Sequence, residues 1–201
     1  MSPESSGRRL DAQARRAQLV AAGLELMGSV PVDQLSADDI ARASGVSKGL
    51  VFHYFPTTRD LQEAILRSAT EELLANLIVD PEASHAEQLR LGIEAFISYI
   101  EMAPANYLAM ARGWGSDTQL GAVFEEARET VVGLVHSVLG VEALPVGLVI
   151  ALRGWIAFVE EASLQWLAHD RPISRDALVG FMQATALVWL LPEALAIDAL
   201  R

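Results

Sequence analysis

The chain reads as all-α. Three observations lead there: apolar residues recur at i, i+3, i+4 and i+7 over most of its length, Pro, Gly, Ser and Asp separate those segments, and no run alternates as a half-buried strand would. The pattern yields about nine helices. With 201 residues, 52% hydrophobic and 6% aromatic, the chain can form one large domain or two small ones of packed helices.

Residues 1–10 are rich in Ser, Gly, Pro and Arg and have no apolar face, so they read as a disordered arm carrying Arg8 and Arg9. From Asp11 the pattern changes. Leu19, Ala22, Gly23 and Leu26 mark an amphipathic first helix that ends near Ser29 before Val30-Pro31, with Arg15 and Arg16 counted with Arg8 and Arg9 in the N-terminal arm. Ser36 then caps a short second helix: Asp38 and Asp39 favour the positive end of its dipole, while Ile40 and Ala41 turn inward. Gly45 suits a left-handed turn because it lacks a Cβ, and Ser47 can cap a third helix directly after it. Two short helices joined by a Gly-containing turn make a helix-turn-helix.

The third helix carries two kinds of side chain. Val51 and either Tyr54 or Phe55 share the face that follows Val46 and would pack inward. Lys48, Gly49, Leu50, Phe52 and His53 are left pointing outward. Such a mixture is a poor solvent face and a reasonable DNA face: a lysine reaches phosphate or a guanine edge, an apolar side chain touches a thymine methyl, and glycine lets backbone come close.

The same stretch closely resembles the DNA-binding domain of the tetracycline-repressor (TetR) family of transcription regulators. Ile40-Ala41, Gly45-Val46-Ser47-Lys48-Gly49, His53-Tyr54-Phe55-Pro56 and Leu61 carry the resemblance, in that order and spacing. It implies an N-terminal three-helix reading head over residues 1–57 and a helical ligand-binding and dimerisation domain over 58–201. It also implies DNA contacts from Ser36, Ser47, Lys48, Gly49, Leu50, Phe52, His53, Thr57 and Thr58. Three positions depart from the family's usual pattern: Val30-Pro31 replaces a helix-ending glycine, Leu50 replaces threonine, and Thr58 replaces a phosphate-contacting lysine. A threonine hydroxyl at a helix N-terminus still binds phosphate, without the charge.

Pro56 stops the third helix, and Thr57 or Thr58 caps a longer fourth helix from Arg59 to Leu77 with Leu61, Ile65, Leu73 and Leu77 as its buried stripe. Asp80-Pro81 breaks the chain. A fifth helix follows from Ser84 to Met102, with Leu89, Ile93, Phe96, Ile97 and Ile100 on its apolar side. Pro104 opens a short sixth helix through Trp114, and Gly113, Gly115 and Ser116 break it. A seventh helix runs from Asp117 to Leu139 and ends at Gly140. Pro145 begins an eighth, closed by Asp170-Arg171-Pro172, and Ser174 caps a ninth that reaches Leu191 before Pro192 stops it.

The eighth and ninth helices are apolar over more than one face, with Gly147, Ala151, Gly154, Ala157, Gly180 and Ala184 spaced along them. A helix apolar nearly all round needs cover on both sides. A homodimer in which the helices near 145–169 and 174–191 meet their copies supplies that cover as a four-helix bundle, which is also what the resemblance implies. Helices five to eight carry many flexible or aromatic side chains, Met102 and Phe124 among them. Phe96, Tyr99, Ile100, Tyr107, Met110, Trp114, Trp155, Phe158 and Val159 are the candidate lining of an effector pocket. Arg153, Glu160 and Glu161 interrupt the apolar eighth helix and need a partner, solvent or a ligand.

The formal net charge of −11 conceals a division: residues 1–61 hold seven basic and seven acidic side chains, and the remainder holds eight and nineteen. A net-neutral head binds phosphate weakly and with salt sensitivity, and Lys48, the chain's only lysine, lies on its reading face. There is no cysteine, no uninterrupted apolar run of membrane-spanning length and no apolar leader, so a cytoplasmic protein with no membrane contact is expected. Phosphate loops, nucleophile elbows and zinc pairs are missing from the sequence, and the four histidines are scattered at 53, 85, 136 and 169. No catalytic residue, metal site or cofactor is therefore expected, and the chain does not read as an enzyme. The favoured reading is a dimeric regulator released from operator DNA by a small apolar or amphipathic molecule. The competing class is a helical dimerisation or protein-binding module that has lost sequence-specific DNA reading.

Overall fold

The computed structural model describes residues 12–77, 82–102, 104, 118–139 and 142–198. Among these are eight α-helices, one 3-10 turn and no strand. They are α1 (Ala12–Met27), the 3-10 turn Val32–Gln34, α2 (Ala37–Ser44), α3 (Lys48–Tyr54), α4 (Thr58–Asn76), α5 (His85–Met102), α6 (Thr118–Leu139), α7 (Val146–Ala168) and α8 (Arg175–Asp198). The expected sixth helix, with Tyr107, Met110 and Trp114, lies outside the described residues apart from Pro104. So do the arm, the break at Asp80-Pro81 and the stop at Gly140. The helices expected as seventh, eighth and ninth are α6, α7 and α8.

The chain falls into two compact units that divide at Ser68, inside the continuous helix α4. In the first unit α2 packs on both α1 and α3. Its core is Leu19, Val20, Ala22 and Met27 of α1, Ile40 and Ala41 of α2, Val51 and Phe55, and Leu61, Ile65 and Leu66 of α4. Each fully buried Leu, Ile or Val contributes roughly 1.5–3 kcal/mol against the entropy of ordering the chain. Gly23 lets α1 and α4 meet closely: a Cβ there would lie 2.3 Å from Ile65 Cδ1 and 2.5 Å from Cγ1. The buried Gln62 side chain ties α4 to the turn before α2, donating to the carbonyls of Asp33 and Leu35 at 3.0 Å each.

In the second unit α8 packs on α5 and α7, and α6 packs on α7. Ile93, Ile97 and Ile100 of α5, Val132 of α6, Leu152, Trp155, Ile156, Val159 and Trp166 of α7, and Leu178, Val179, Met182 and Ala186 of α8 form one core. Two polar joints pin it. Arg175 at the start of α8 donates to Glu94 O at 3.0 Å and Ser98 Oγ at 2.6 Å on α5, and Trp166 Nε1 donates to Ile173 O at 2.8 Å. The α7–α8 turn places Asp170 and Arg171 in the left-handed region, φ 57° for both, where no glycine is available.

Three expectations about elements change. The buried stripe of α4 runs through Leu61, Gln62, Ile65, Leu66, Ala69 and Thr70, while Leu73 and Leu77 are only partly covered. On α1 the deep position near the C-terminus belongs to Met27 rather than Leu26. Pro192 does not stop α8, which continues to Asp198. A proline removes one backbone donor and adds a steric conflict with the preceding turn, a local cost that a long helix can absorb at a bend. No helix among the described residues is long and apolar enough to cross a membrane.

Candidate functional site

Helix α3 is held at both ends and along one side. Gly45 adopts φ 67°, and its N–H reaches Ala41 O and Arg42 O, ending α2 in the left-handed turn that its sequence position suggests. Ser47 Oγ then accepts the Leu50 N–H at 3.2 Å, starting α3. Val51 and Phe55 are buried and Tyr54 partly so, which decides between the two aromatic candidates in favour of Phe55. The Arg16 guanidinium lies 4.8 Å from the centre of the Phe55 ring, and Gln18 Nε2 donates to Ser44 O at 3.3 Å. Helix α1 thus fixes the helix-turn-helix from behind.

With that side fixed, Lys48, Gly49, Phe52 and His53 are exposed together, and Leu50 is half-buried beside them. Phe52, a large apolar ring, remains 36% exposed on this short helix, which suits a duplex contact better than water. Lys48 Nζ makes an ion pair with Asp38 Oδ2 at 2.6 Å. That pairing is not legible from chain order, because the two residues meet only once the turn folds α3 back on α2.

Ser36, Ser47 and Thr57, three further candidates for DNA contact, are engaged in caps. Ser36 Oγ accepts the Asp39 N–H at 3.3 Å, and Asp39 Oδ2 accepts the Ser36 N–H at 3.1 Å and the Ser36 hydroxyl at 2.5 Å, a reciprocal capping box. Thr57 and Asp60 repeat the arrangement at α4: Asp60 Oδ2 accepts the Thr57 N–H and hydroxyl, each at 2.9 Å, and Thr57 Oγ1 accepts the Asp60 N–H at 3.1 Å. Thr58, half-buried, follows within the helix. The first member of each Ser-x-x-Asp and Thr-x-x-Asp spacing is legible as a cap from its position, and the reciprocal role of the aspartate comes from the folded geometry.

The Asp39 box has a pH signature. The Ser36 hydroxyl, then the Ser36 backbone N–H, hold the Asp39 carboxyl below the usual carboxylate range. Its contribution to stability is present above that ordinary range and lost as pH falls through the lowered value. Urea unfolding of wild type and Asp39→Asn is expected to show a gap at neutral pH that closes on acidification. A gap of constant size would mean that the ionised carboxylate contributes nothing.

In the second unit, the six described candidates for effector contact all belong to the core or pack against it. Ile100, Trp155 and Val159 are buried within it, and Phe96, Tyr99 and Phe158 lie partly buried around it. Trp155 Nε1 faces Met182 O and Thr185 Oγ1, each at 3.3 Å, so its polar end is satisfied by α8. Tyr99 is different. Burial, and secondarily the Glu72 carboxylate, push its phenol up to about 12, so it stays a neutral hydroxyl that can both donate and accept.

Arg153 and Glu160 have protein partners. Arg128 of α6 pairs with Glu160 of α7 at 2.7 Å, and Arg153 of α7 pairs with Glu125 at 2.7 Å and with Glu129. Glu161 is exposed and accepts from Gln165 at 2.7 Å. Arg153 and Glu160 thereby stitch α7 to α6. Among the described residues no group of three or more His, Cys, Asp or Glu could hold a metal ion.

Comparison with known proteins places this architecture. Residues 19–65 match the family model for bacterial regulatory proteins of the tetR family, and residues 85–201 match the tetracyclin repressor-like C-terminal domain. The chain belongs to the tetR family. A relative in Mycolicibacterium smegmatis, the HTH-type transcriptional activator FasR, is 27% identical over 180 residues, covering 86% of this chain and 81% of FasR. The HTH-type transcriptional regulator BetI of Escherichia coli is 31% identical over 106 residues, covering 51% of this chain and 54% of BetI. A crystal structure of a tetR-family regulator from Streptomyces coelicolor superimposes with a TM-score of 0.83 at 26% identity, covering 93% of this chain and 85% of that one. As a tetR-family member the chain is a DNA-binding, helix-turn-helix transcription regulator with a C-terminal helical domain that suits ligand binding. Its relatives are regulators rather than enzymes.

Proposed function

We propose that the chain is a homodimeric repressor that reads operator DNA through α3 and is released by a small apolar or amphipathic effector bound in its second unit. The carrying observation is the outward face of α3. Lys48, Gly49, Phe52 and His53 stand exposed on a helix whose other side is anchored by Val51 and the neighbouring Phe55. Domains of 1–57 for reading and 58–201 for effector binding and dimerisation fit this division of labour, and a protein that works on the chromosome belongs in the cytoplasm.

The dimer is supported by apolar surface left uncovered in one subunit. On α7, Val146 is 74% exposed and Ile150 68%, and Ala157 shares their face. On the adjoining α8, Ala177, Gly180, Phe181, Ala184 and Val188 form one exposed stripe, Val188 at 72%. Two-fold pairing of α7 and α8 with their copies would cover both, the small residues allowing close approach. It would also present two reading helices to successive major grooves roughly 34 Å apart or a multiple of that.

Effector binding would act by differential affinity for two dimer states, one whose heads match the operator and one whose heads do not. Helix α4 runs unbroken through the division of the two units and, through Gln62, grips the turn that leads into α2. Moving α4 would therefore move the reading head. Repression is the simpler sign for such a device, while the name of FasR favours activation as a second reading.

The deciding experiment is a gel shift against the promoter next to the chain's own gene, run over a range of salt. Lys48→Ala is expected to weaken binding about 10- to 100-fold, the loss of one good base contact, with His53→Ala and Phe52→Ala acting in the same direction and melting curves unchanged. Unaltered affinity in all three would place the reading face elsewhere.

A further inference from the structure

On the reading face just proposed, on which this inference rests, the chain's only lysine is already paired. Lys48 Nζ stands 2.6 Å from Asp38 Oδ2 and 5.9 Å from the centre of the Phe52 ring. The ammonium is thus flanked by a carboxylate from the first turn of α2 and by an aromatic face one turn along its own helix. Both side chains of the pair are about half exposed, 52% and 56%, so the pair adds little to the stability of the fold. Its consequence lies in what the ammonium can still do.

We infer that Asp38 is a specificity-determining residue of the DNA interface, withholding the Lys48 ammonium from phosphates while leaving it able to contact base edges. An ammonium has three N–H donors. One serves Asp38, and the others remain for guanine O6 and N7, which are neutral acceptors and do not compete for the charge. A phosphate contact depends on the charge itself. To make one, Lys48 would exchange one anion for another and leave Asp38 facing the phosphates, so no net ion pair is gained. Affinity from counterion release follows the phosphates a protein neutralises, and a lysine that keeps its own carboxylate neutralises almost none.

The neighbouring helix ends share this character. An open helix N-terminus binds phosphate, but Asp39 closes that of α2 and Asp60 that of α4. Residues 1–61 are balanced at seven acidic and seven basic groups, and three of the acids, Asp38, Asp39 and Asp60, sit where a duplex backbone would otherwise find positive potential. On the described outward face of α3 the cation is Lys48, already held by a carboxylate.

The test compares a random-sequence duplex with a duplex selected from a random pool by the wild-type chain. Asp38→Asn is expected to raise affinity for the random duplex about eightfold at 0.1 M salt and to steepen the log affinity against log salt slope by about 0.9, the value of one added phosphate contact. Affinity for the selected duplex should rise much less, so the ratio between them falls. In a Lys48→Ala background the same substitution should lose most of its effect, and Asp38→Glu, which keeps the charge, should behave as wild type.

An unchanged ratio overturns the inference. So does an equal gain with and without Lys48, which would mean simple repulsion between Asp38 and DNA. If Lys48→Ala alone weakens neither duplex, the reading face itself is misassigned. If it weakens the selected duplex while Asp38→Asn alters nothing, the reading face stands and only the role of Asp38 falls.

Discussion

Ile150→Asp combined with Val188→Asp is expected to convert the proposed dimer to monomers and to lower operator affinity by about a hundredfold or more. In a single subunit both side chains are largely in water, at 68% and 72% exposure, so exchanging them for aspartate should change the stability of the isolated fold by only about 0.5 kcal/mol each. Pairing reverses that. Two-fold symmetry brings every introduced carboxylate into the interface twice, and an unpaired buried charge costs several kcal/mol. In the proposed dimer both heads engage one duplex, a linkage that multiplies single-head affinity by about 10² to 10⁴. Sedimentation equilibrium reads the first effect and a gel shift the second. A variant that stays dimeric with full operator binding would show that these faces of α7 and α8 are not where the copies meet.

The features legible in the sequence are those whose causes are local. Ser36, Gly45 and Ser47 act within four residues of themselves, so residue type and spacing were enough to place α2, the left-handed turn and α3. The inward face of α3 followed from helical period in the same way, apart from the choice between Tyr54 and Phe55. What the chain order hid are contacts made only after folding. Asp38 and Lys48 are ten positions apart, and Gln62 reaches carbonyls 29 and 27 positions before it. The pairing of Arg128 with Glu160 across 32 positions explains why charge is tolerated on an otherwise apolar α7, a question its own sequence left open. Pro192 does not end α8, which runs on to Asp198: proline removes one backbone donor and crowds one turn, a local cost that a long helix can absorb at a bend.

Gly23 belongs with the hidden contacts. By period it is one more residue on the inner face of α1, interchangeable with alanine, yet it is the point where α1 meets the fully buried Ile65 of α4. A Cβ at 2.3 and 2.5 Å from two Ile65 carbons forces the fully buried Ile65 side chain out of its packed position or pushes the two helices apart. Gly23→Val is therefore expected to destabilise the reading head by about 3 kcal/mol, an overpacking cost, and to lower the melting midpoint by about 6–12 °C at fixed protein concentration. Ile65→Ala alone should cost a similar amount, about 2–5 kcal/mol, by leaving a cavity. The two errors are complementary, since the isopropyl group added on α1 occupies the space vacated on α4. A volume-conserving exchange of that kind costs under about 1.5 kcal/mol. The double variant should accordingly be more stable than either single one and recover operator binding, a coupling that thermal melts and gel shifts of the four proteins would measure directly. Additive losses would mean that α1 and α4 do not pack against each other at Gly23, leaving the Gln62 hydrogen bonds as the tie between α4 and the head.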